Sequence, residues 1–403
     1  MKPASAAPDD RSGKNFKEFS LVLGGLLFRL VRGPRLIEEP FRRMYIRIVA
    51  VALLAWLPLL VLSFIERHGL GGNVAVPFLL DIDVHVRFLV AMPLLLIAER
   101  TVHARMRPMG DQFLERNLIP ENALARFNAA FASAMRLRNS VLVQILIIAA
   151  VYVFGVLILW RHYLVLETAT WYGRPTGNGT ALSLAGIWYA YVSLPLFQFL
   201  LLCWYFRVLI WARFLWQVSR IELVLIPTHP DRVGGLGFLA FTMHAFVPLA
   251  IAHGAIIAGL LADRIFYVGA TLSQFKFEIA LLAIYMLCLT LGPLLVFTPQ
   301  LAWAKRLGNL QYGALAERYV RTFDTKWLRG GAPVGEPFIG SSDIQSLADT
   351  ANSFEVVRSM NLVPVTRNGL LAVTSATLVP IAPLTLSMMP IEELLKALFG
   401  MLR

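Results

Sequence analysis

The chain has 403 residues, of which 57% are hydrophobic and only 15% charged, with a mean hydropathy of +0.65. A soluble domain carries about 25% charged residues, so an ordinary soluble globular protein is excluded and an all-α, polytopic integral membrane protein is indicated. The formal charge of +12 would suit a nucleic-acid ligand if it formed one basic surface. Here the basic residues collect in alternate loops between apolar stretches, which argues against nucleic acid and for membrane topology.

Residues 1–14 are polar and rich in Ala, Pro and Asp, a composition that reads as disordered. The run 21–30 is apolar but short, is broken by Arg29 and lacks a small-residue cleavage site. It reads as an amphipathic helix lying on the inner membrane surface, not as a signal peptide. Seven long apolar stretches follow, at 48–65, 77–98, 140–160, 183–206, 238–262, 279–304 and 370–389. A crossing takes about 20 residues, so the expectation is seven transmembrane helices.

Several polar segments also carry a helical pattern. Within 120–138, Pro120 stands at a first helical turn, and Phe127, Phe131 and Met135 recur every four residues. Helical composition continues past Arg207 towards Leu225, and past Ala304 to about Trp327. Ser342 and Gln345 form an S-x-x-Q capping box before a helix with Ile344, Leu347, Ala351 and Phe354 on one face. The expected organisation is an N-terminal part at 1–47 and six spans over 48–304 with the cytoplasmic helix 120–138. A cytoplasmic helical region at 305–369, a seventh span at 370–389 and an interfacial helix at 390–403 complete it.

Charge sets the orientation. Placing 1–47, 99–139, 207–237 and 305–369 on one side gives that side 29 Lys and Arg, against 7 on the other. The positive-inside rule makes the first side cytoplasmic. Seven spans then put the N-terminus inside and the C-terminus outside, in a cell inner membrane.

The second span contains Asp81, Asp83, His85 and Arg87 before it becomes purely apolar at 88–98. Helical spacing sets Asp81 beside His85 and Asp83 beside Arg87, since each pair is four residues apart. Arg87 lies about 15 Å from Pro77 along such a helix. Ionisable groups at that depth are expected to be paired or to face protein or water. The four residues are read as an ion- or proton-binding position, against the alternative of a tilted helix whose first turn lies in the headgroups.

Two further patterns stand out. In the last span Thr374, Thr377, Ile381, Thr385 and Met388 share one helical face, a hydroxyl-lined stripe with apolar rings that suits a narrow pore. Ordinary packing, in which Thr permits close approach, is the alternative. On the cytoplasmic side, His229, Asp231 and Arg232 could support acid–base chemistry. The adjoining Gly234, Gly235 and Gly237 would present backbone N–H groups to an anion, or simply form a turn feeding the fifth span. His244 and His253 are nine residues apart, on opposite faces of one span, and read as structural. Cys203 and Cys288 lie inside apolar spans with no second thiol nearby. No metal site and no cofactor are expected.

The stretch from His229 to Leu239, with that from Gly340 to Asp349, resembles an uncharacterised family of bacterial polytopic membrane proteins; the resemblance extends over most of the chain and brings no activity with it. In topology alone the chain is also similar to insect odorant and gustatory receptor channels. The Thr-Tyr and Gln-Phe signature that this similarity implies for the last span is absent from 370–389.

The leading expectation is an oligomeric ion channel or small-solute pathway, with the final span lining the path and the cytoplasmic helices joining the subunits of a homo-oligomer. Its partners would be the lipid bilayer and a small ligand or ion. The alternatives are a membrane-embedded enzyme at the cytoplasmic headgroup level, using His229, Asp231 and Arg232, and a non-catalytic sensor or assembly factor. The balance of residues favours a protein that is not an enzyme.

Overall fold

A computed structural model describes residues 44–71, 74–160, 169–176 and 179–388. Residues 1–43, with the surface helix expected at 21–30, and the interfacial helix expected at 390–403 lie outside the described residues.

The chain is mostly helical. Helix α1, Met44–Ile65, is the first apolar stretch. Helix α2 covers 82–106 in three continuous parts: α-helical Ile82–His85, a π-helical turn Val86–Ala91, and α-helical Met92–Met106. After the short α3, Met109–Glu115, come α4, Leu124–Arg138, and α5, α-helical over Val141–Ala150 and π-helical over Val151–Trp160. Phe127 and Phe131 of α4 are buried, as the four-residue pattern requires. The paired strands β1, Gly173–Thr176, and β2, Gly179–Leu182, form a small antiparallel hairpin in what the sequence presents as a polar loop. Helices α6, Leu184–Val218, α7, Leu236–Val268, and α8, Leu272–Leu328, follow. Helix α9, Ser342–Arg358, folds back along α8. Helix α10, Arg367–Leu378, ends the described chain with a 3-10 segment, Ala382–Met388.

Four helices, α1, α6, α7 and α8, are long and apolar enough to cross a membrane. The pair α4–α5, bent by 48°, adds a fifth if it acts as one span. The remaining two of the seven apolar stretches do not form uninterrupted apolar helices. Helix α2 carries Asp83, Arg87 and Glu99, and the last stretch breaks after Leu378, where Pro380 and Pro383 supply no N–H. The capping box does not form either. Ser341 takes the cap position without a side-chain hydrogen bond, and Gln345 donates to Asp349.

Helix α7 is the hub. Of its most apolar stretch 61% is buried, against 22% for α8, whose outer surface faces away from the bundle. Small residues make this possible, because helices in lipid gain by close van der Waals approach. A Cβ on Gly254 would lie 2.1 Å from the Thr377 carbonyl oxygen of α10, and one on Gly259 would lie 3.0 Å from Asp83 Cα of α2. Two backbones thus approach α7 at positions where it has no side chain.

Candidate functional site

The polar cluster at the start of α2 is built from helix ends. Asp81 precedes the helix with extended backbone (φ −78°, ψ 94°). Its Oδ1 accepts the Val84 N–H at 3.0 Å, and its Oδ2 accepts Trp171 Nε1–H at 2.8 Å. Asp263, near the end of α7, reaches across: Oδ1 accepts Ile82 N–H at 3.0 Å and Oδ2 accepts Asp83 N–H at 3.2 Å. The first N–H groups of any helix lack partners inside it. Here two carboxylates, one of them from another helix, satisfy three such groups.

The expected Asp81–His85 pair does not form. Spacing of four brings side chains together only when both residues are helical, and Asp81 is a cap. His85 turns instead to α1, where its Nδ1 accepts Trp56 Nε1–H at 2.9 Å. An accepting Nδ1 leaves the ring proton on Nε2. Phe78 packs edge-on against His85 and against Trp171.

Asp83 and Arg87 do pair, both being inside the helix. Arg87 also donates through Nη1 to Tyr189 Oη at 2.9 Å and lies over the Phe197 ring of α6. Among the described residues, Asp83 Oδ1 and Arg87 Nε are buried with no hydrogen-bond partner. The cluster holds three carboxylates and one guanidinium. Sequence reasoning missed Asp263, Tyr189, Trp171 and Trp56. The apolar run 265–268 after Asp263 was a usable signal, since it carries α7 on through the aspartate.

The loop before α7 is closed on itself. Asp231 Oδ1 accepts the N–H groups of Val233 at 2.9 Å and Gly235 at 3.1 Å, and Oδ2 accepts that of Gly237 at 2.8 Å. Burial alone opposes ionisation, but these three donors and the adjacent His229 outweigh it and hold the Asp231 carboxyl below the usual carboxylate range. His229 Nδ1 lies 2.8 Å from Asp231 Oδ1. Arg232 adopts a left-handed φ of 56°, and its carbonyl accepts Asn361 N–H at 2.7 Å. Gly234 and Gly235, with φ of 65° and 99°, complete the turn. The donors that an external anion would need at Gly235 and Gly237 are therefore taken by the chain's own carboxylate, and Asp231 is committed to holding the loop. The geometry favours the turn over the anion-binding loop and over the His229–Asp231–Arg232 acid–base group.

The hydroxyl stripe of the last span is split. Thr377 is fully buried and donates to Val373 O at 2.8 Å, while Ile381 is buried among Ala258, Leu261, Leu272 and Phe275. Thr374 is half-buried, Thr385 is exposed and donates to Ala382 O, and Met388 ends the 3-10 segment. The α-helix ends at Leu378, so Thr374 and Thr377 stand in it while Thr385 stands in the following 3-10 segment. Packing against α7 accounts for Thr377 and Ile381.

His253, buried in α7, contacts Leu249 O through Nδ1 and Tyr205 Oη through Nε2, both at 2.8 Å. Cys203 is half-buried and Cys288 exposed, both as free thiols. Among the described residues no group of three or more His, Cys, Asp and Glu could hold a metal ion. Compared with protein-family models, with characterised proteins and with solved structures, the chain matches none.

Proposed function

We propose that the chain is a seven-span inner-membrane protein, N-terminus inside and C-terminus outside, acting as a homo-oligomeric pathway for protons or small cations. Asp83 is the binding position, with Asp81, His85 and Arg87 around it. One observation carries this reading: Asp83 Oδ1 is buried without a donor in a cluster of three carboxylates and one guanidinium. A buried acceptor left unsatisfied costs about 1–3 kcal/mol, more when charged. A proton or cation on that oxygen removes the cost. Ionisable groups inside a span usually mark an ion or proton route.

Helix α2 supplies a crossing in this reading. Its 25 residues reach about 37 Å, against a hydrocarbon core of about 30 Å, and its Asp83, Arg87 and Glu99 have protein partners. The path runs beside α2 and α7 instead of along the final span, because α7 covers Thr377 and Ile381. The final span crosses in two helical pieces. Beyond the bilayer, Leu310, Leu315, Val320 and Leu328 of α8 remain exposed, which suits subunit contacts.

The test is flux in liposomes holding the purified protein. The wild type is expected to pass protons, Na⁺ or K⁺ under an imposed potential, Asp83→Asn to abolish that flux, and Asp83→Glu to retain part of it. A wild type that passes none of the three, or an Asp83→Asn variant with undiminished flux, overturns the reading.

A further inference from the structure

Three helices carry a charge at the edge of an uncharged stretch at the same end of the bundle, the end opposite to Asp83. Arg47 stands at the start of α1, Glu99 directly follows the apolar 88–98 of α2, and Arg207 directly follows the uncharged 183–206 of α6. The three side chains meet. Glu99 Oε2 lies 2.9 Å from Arg47 Nη2, and Glu99 Oε1 lies 2.8 Å from Arg207 Nη2. Arg207 also stacks over the Trp204 ring, 4.8 Å from its centre.

The level of this triad follows from helix geometry. Glu66, just past the other end of α1, accepts the Leu184 and Ala185 N–H groups that open α6. From Arg47 to Glu66 the helix rises about 28 Å, close to the thickness of a hydrocarbon core of about 30 Å. The triad therefore stands where acyl chains give way to headgroups.

Its charge does not balance. Both oxygens of Glu99 are used, one by each arginine, and the carboxylate is 6% exposed. Among the described residues, two guanidiniums against one carboxylate leave one positive charge. Among them Arg47 Nε is also buried without an acceptor. A guanidinium fork suits a phosphate oxygen pair, and such charge-assisted bonds are the strong ones.

We propose that the Arg47–Glu99–Arg207 triad seats the phosphate of an anionic lipid headgroup, in the cytoplasmic leaflet for the orientation given above. Glu99 holds the two arginines in register, and the phosphate supplies the missing negative charge. The site is separate from Asp83 and needs no ion flux.

The measurement is thermal unfolding of the full chain in neutral detergent with added dioleoylphosphatidylglycerol, dioleoylphosphatidylcholine or sodium phosphate. Binding to the folded state raises the midpoint with ligand concentration. The phosphatidylglycerol shift should appear in the wild type and in Arg100→Gln, which removes one exposed charge beside Glu99, and should vanish in Arg47→Gln and Arg207→Gln. Phosphatidylcholine should give no shift. Sodium phosphate reproducing the shift would keep the phosphate site but make its source a soluble anion. Equal shifts in the wild type, Arg47→Gln and Arg207→Gln, or none in the wild type, overturn the proposal. If the glutamine variants do not fold, Arg47→Lys keeps the charge without the fork and should weaken the shift. Mass measurement of the wild type should also find phosphatidylglycerol retained; no retained lipid overturns the proposal.

Discussion

Arg87 Nη1 donates to Tyr189 Oη at 2.9 Å, and both residues sit in π-helical turns, Val86–Ala91 of α2 and Tyr189–Ser193 of α6. A π turn inserts one residue into the helical register and recurs at functional sites. The side chains after it are re-aimed by about 100° relative to an unbroken α-helix. The Arg87–Tyr189 hydrogen bond and the Phe88–Tyr189 ring contact join the two irregular turns.

Removing that acceptor tests the link. Tyr189→Phe leaves the ring packing against Phe88 and Trp171 but strips the guanidinium of one partner. Hydrogen bonds to charged groups contribute about 1.5–3 kcal/mol, so the unfolding free energy in detergent should fall by roughly that amount. Asp83→Ala or Arg87→Ala should cost more, about 3–5 kcal/mol, because each leaves a buried charge without its partner. The double change should cost less than the sum of the two. Additive losses would mean that the pair does not act as a unit.

The two glycines Gly254 and Gly292 make a matched comparison. A Cβ on Gly254 meets the Thr377 carbonyl at 2.1 Å, and that carbonyl is fixed in the backbone of α10. Gly254→Ala should push α10 off α7 and lower folded yield sharply. Gly292 has helical dihedrals (φ −47°, ψ −46°) and open space where its Cβ would stand. Gly292→Ala should be neutral or stabilise by about 0.4–1 kcal/mol through the unfolded chain. Midpoints of thermal unfolding would separate the two, and a harmless Gly254→Ala would refute the close α7–α10 contact.

Asp231 gives a pH dependence of known sign. Burial pushes its carboxyl up, but the Val233, Gly237 and Gly235 N–H groups and His229 bring it below its ordinary value. A depressed folded pKa means stabilisation that is complete above the unfolded value of about 3.9 and is lost as pH falls through the folded one. Hydrogen exchange at the Gly235 and Gly237 amides should therefore show protection from pH 7 down to about 4, then opening below it. In Asp231→Asn the loop should be less protected at pH 7 and show no acid step. Protection in Asp231→Asn equal to the wild type would contradict the loop geometry.

What the sequence made legible, and what it did not, divides along contact range. Asp83 and Arg87 lie inside one helix, so their spacing alone brings them together. Asp81 obeys the same arithmetic on paper, but as a cap it leaves the helix before the arithmetic applies. Asp263 and Trp171 reach α2 across roughly 180 and 90 residues of chain, and periodicity within a segment carries no information on such contacts. The threonine stripe is interrupted for a local reason: the prolines that suggested a kink follow the end of the α-helix at Leu378, which leaves Thr385 in a 3-10 segment. The triad around Glu99 was visible only as three separate boundary charges, because its meaning depends on which helices become neighbours.

The remaining test concerns the membrane itself. Thr271 and Val334, both exposed, flank α8, while Glu115 and Arg174, also exposed, flank the bent pair α4–α5. Basic residues concentrate on the Glu115 and Val334 side, as 29 of the 37 Lys and Arg do when all seven stretches cross. With Cys203 and Cys288 replaced by Ser, single cysteines at these four positions can be challenged in intact cells with a membrane-impermeant maleimide. Thr271→Cys and Arg174→Cys should label from outside; Glu115→Cys and Val334→Cys should label only after lysis. If all seven stretches cross, a tag after Arg403 should be reached from outside. Labelling of Thr271→Cys and Val334→Cys from the same side would mean that α8 does not cross, and an internal tag would reduce the count to an even number. The first candidates for removal would then be α2, with its charges, or the final span, with its break after Leu378.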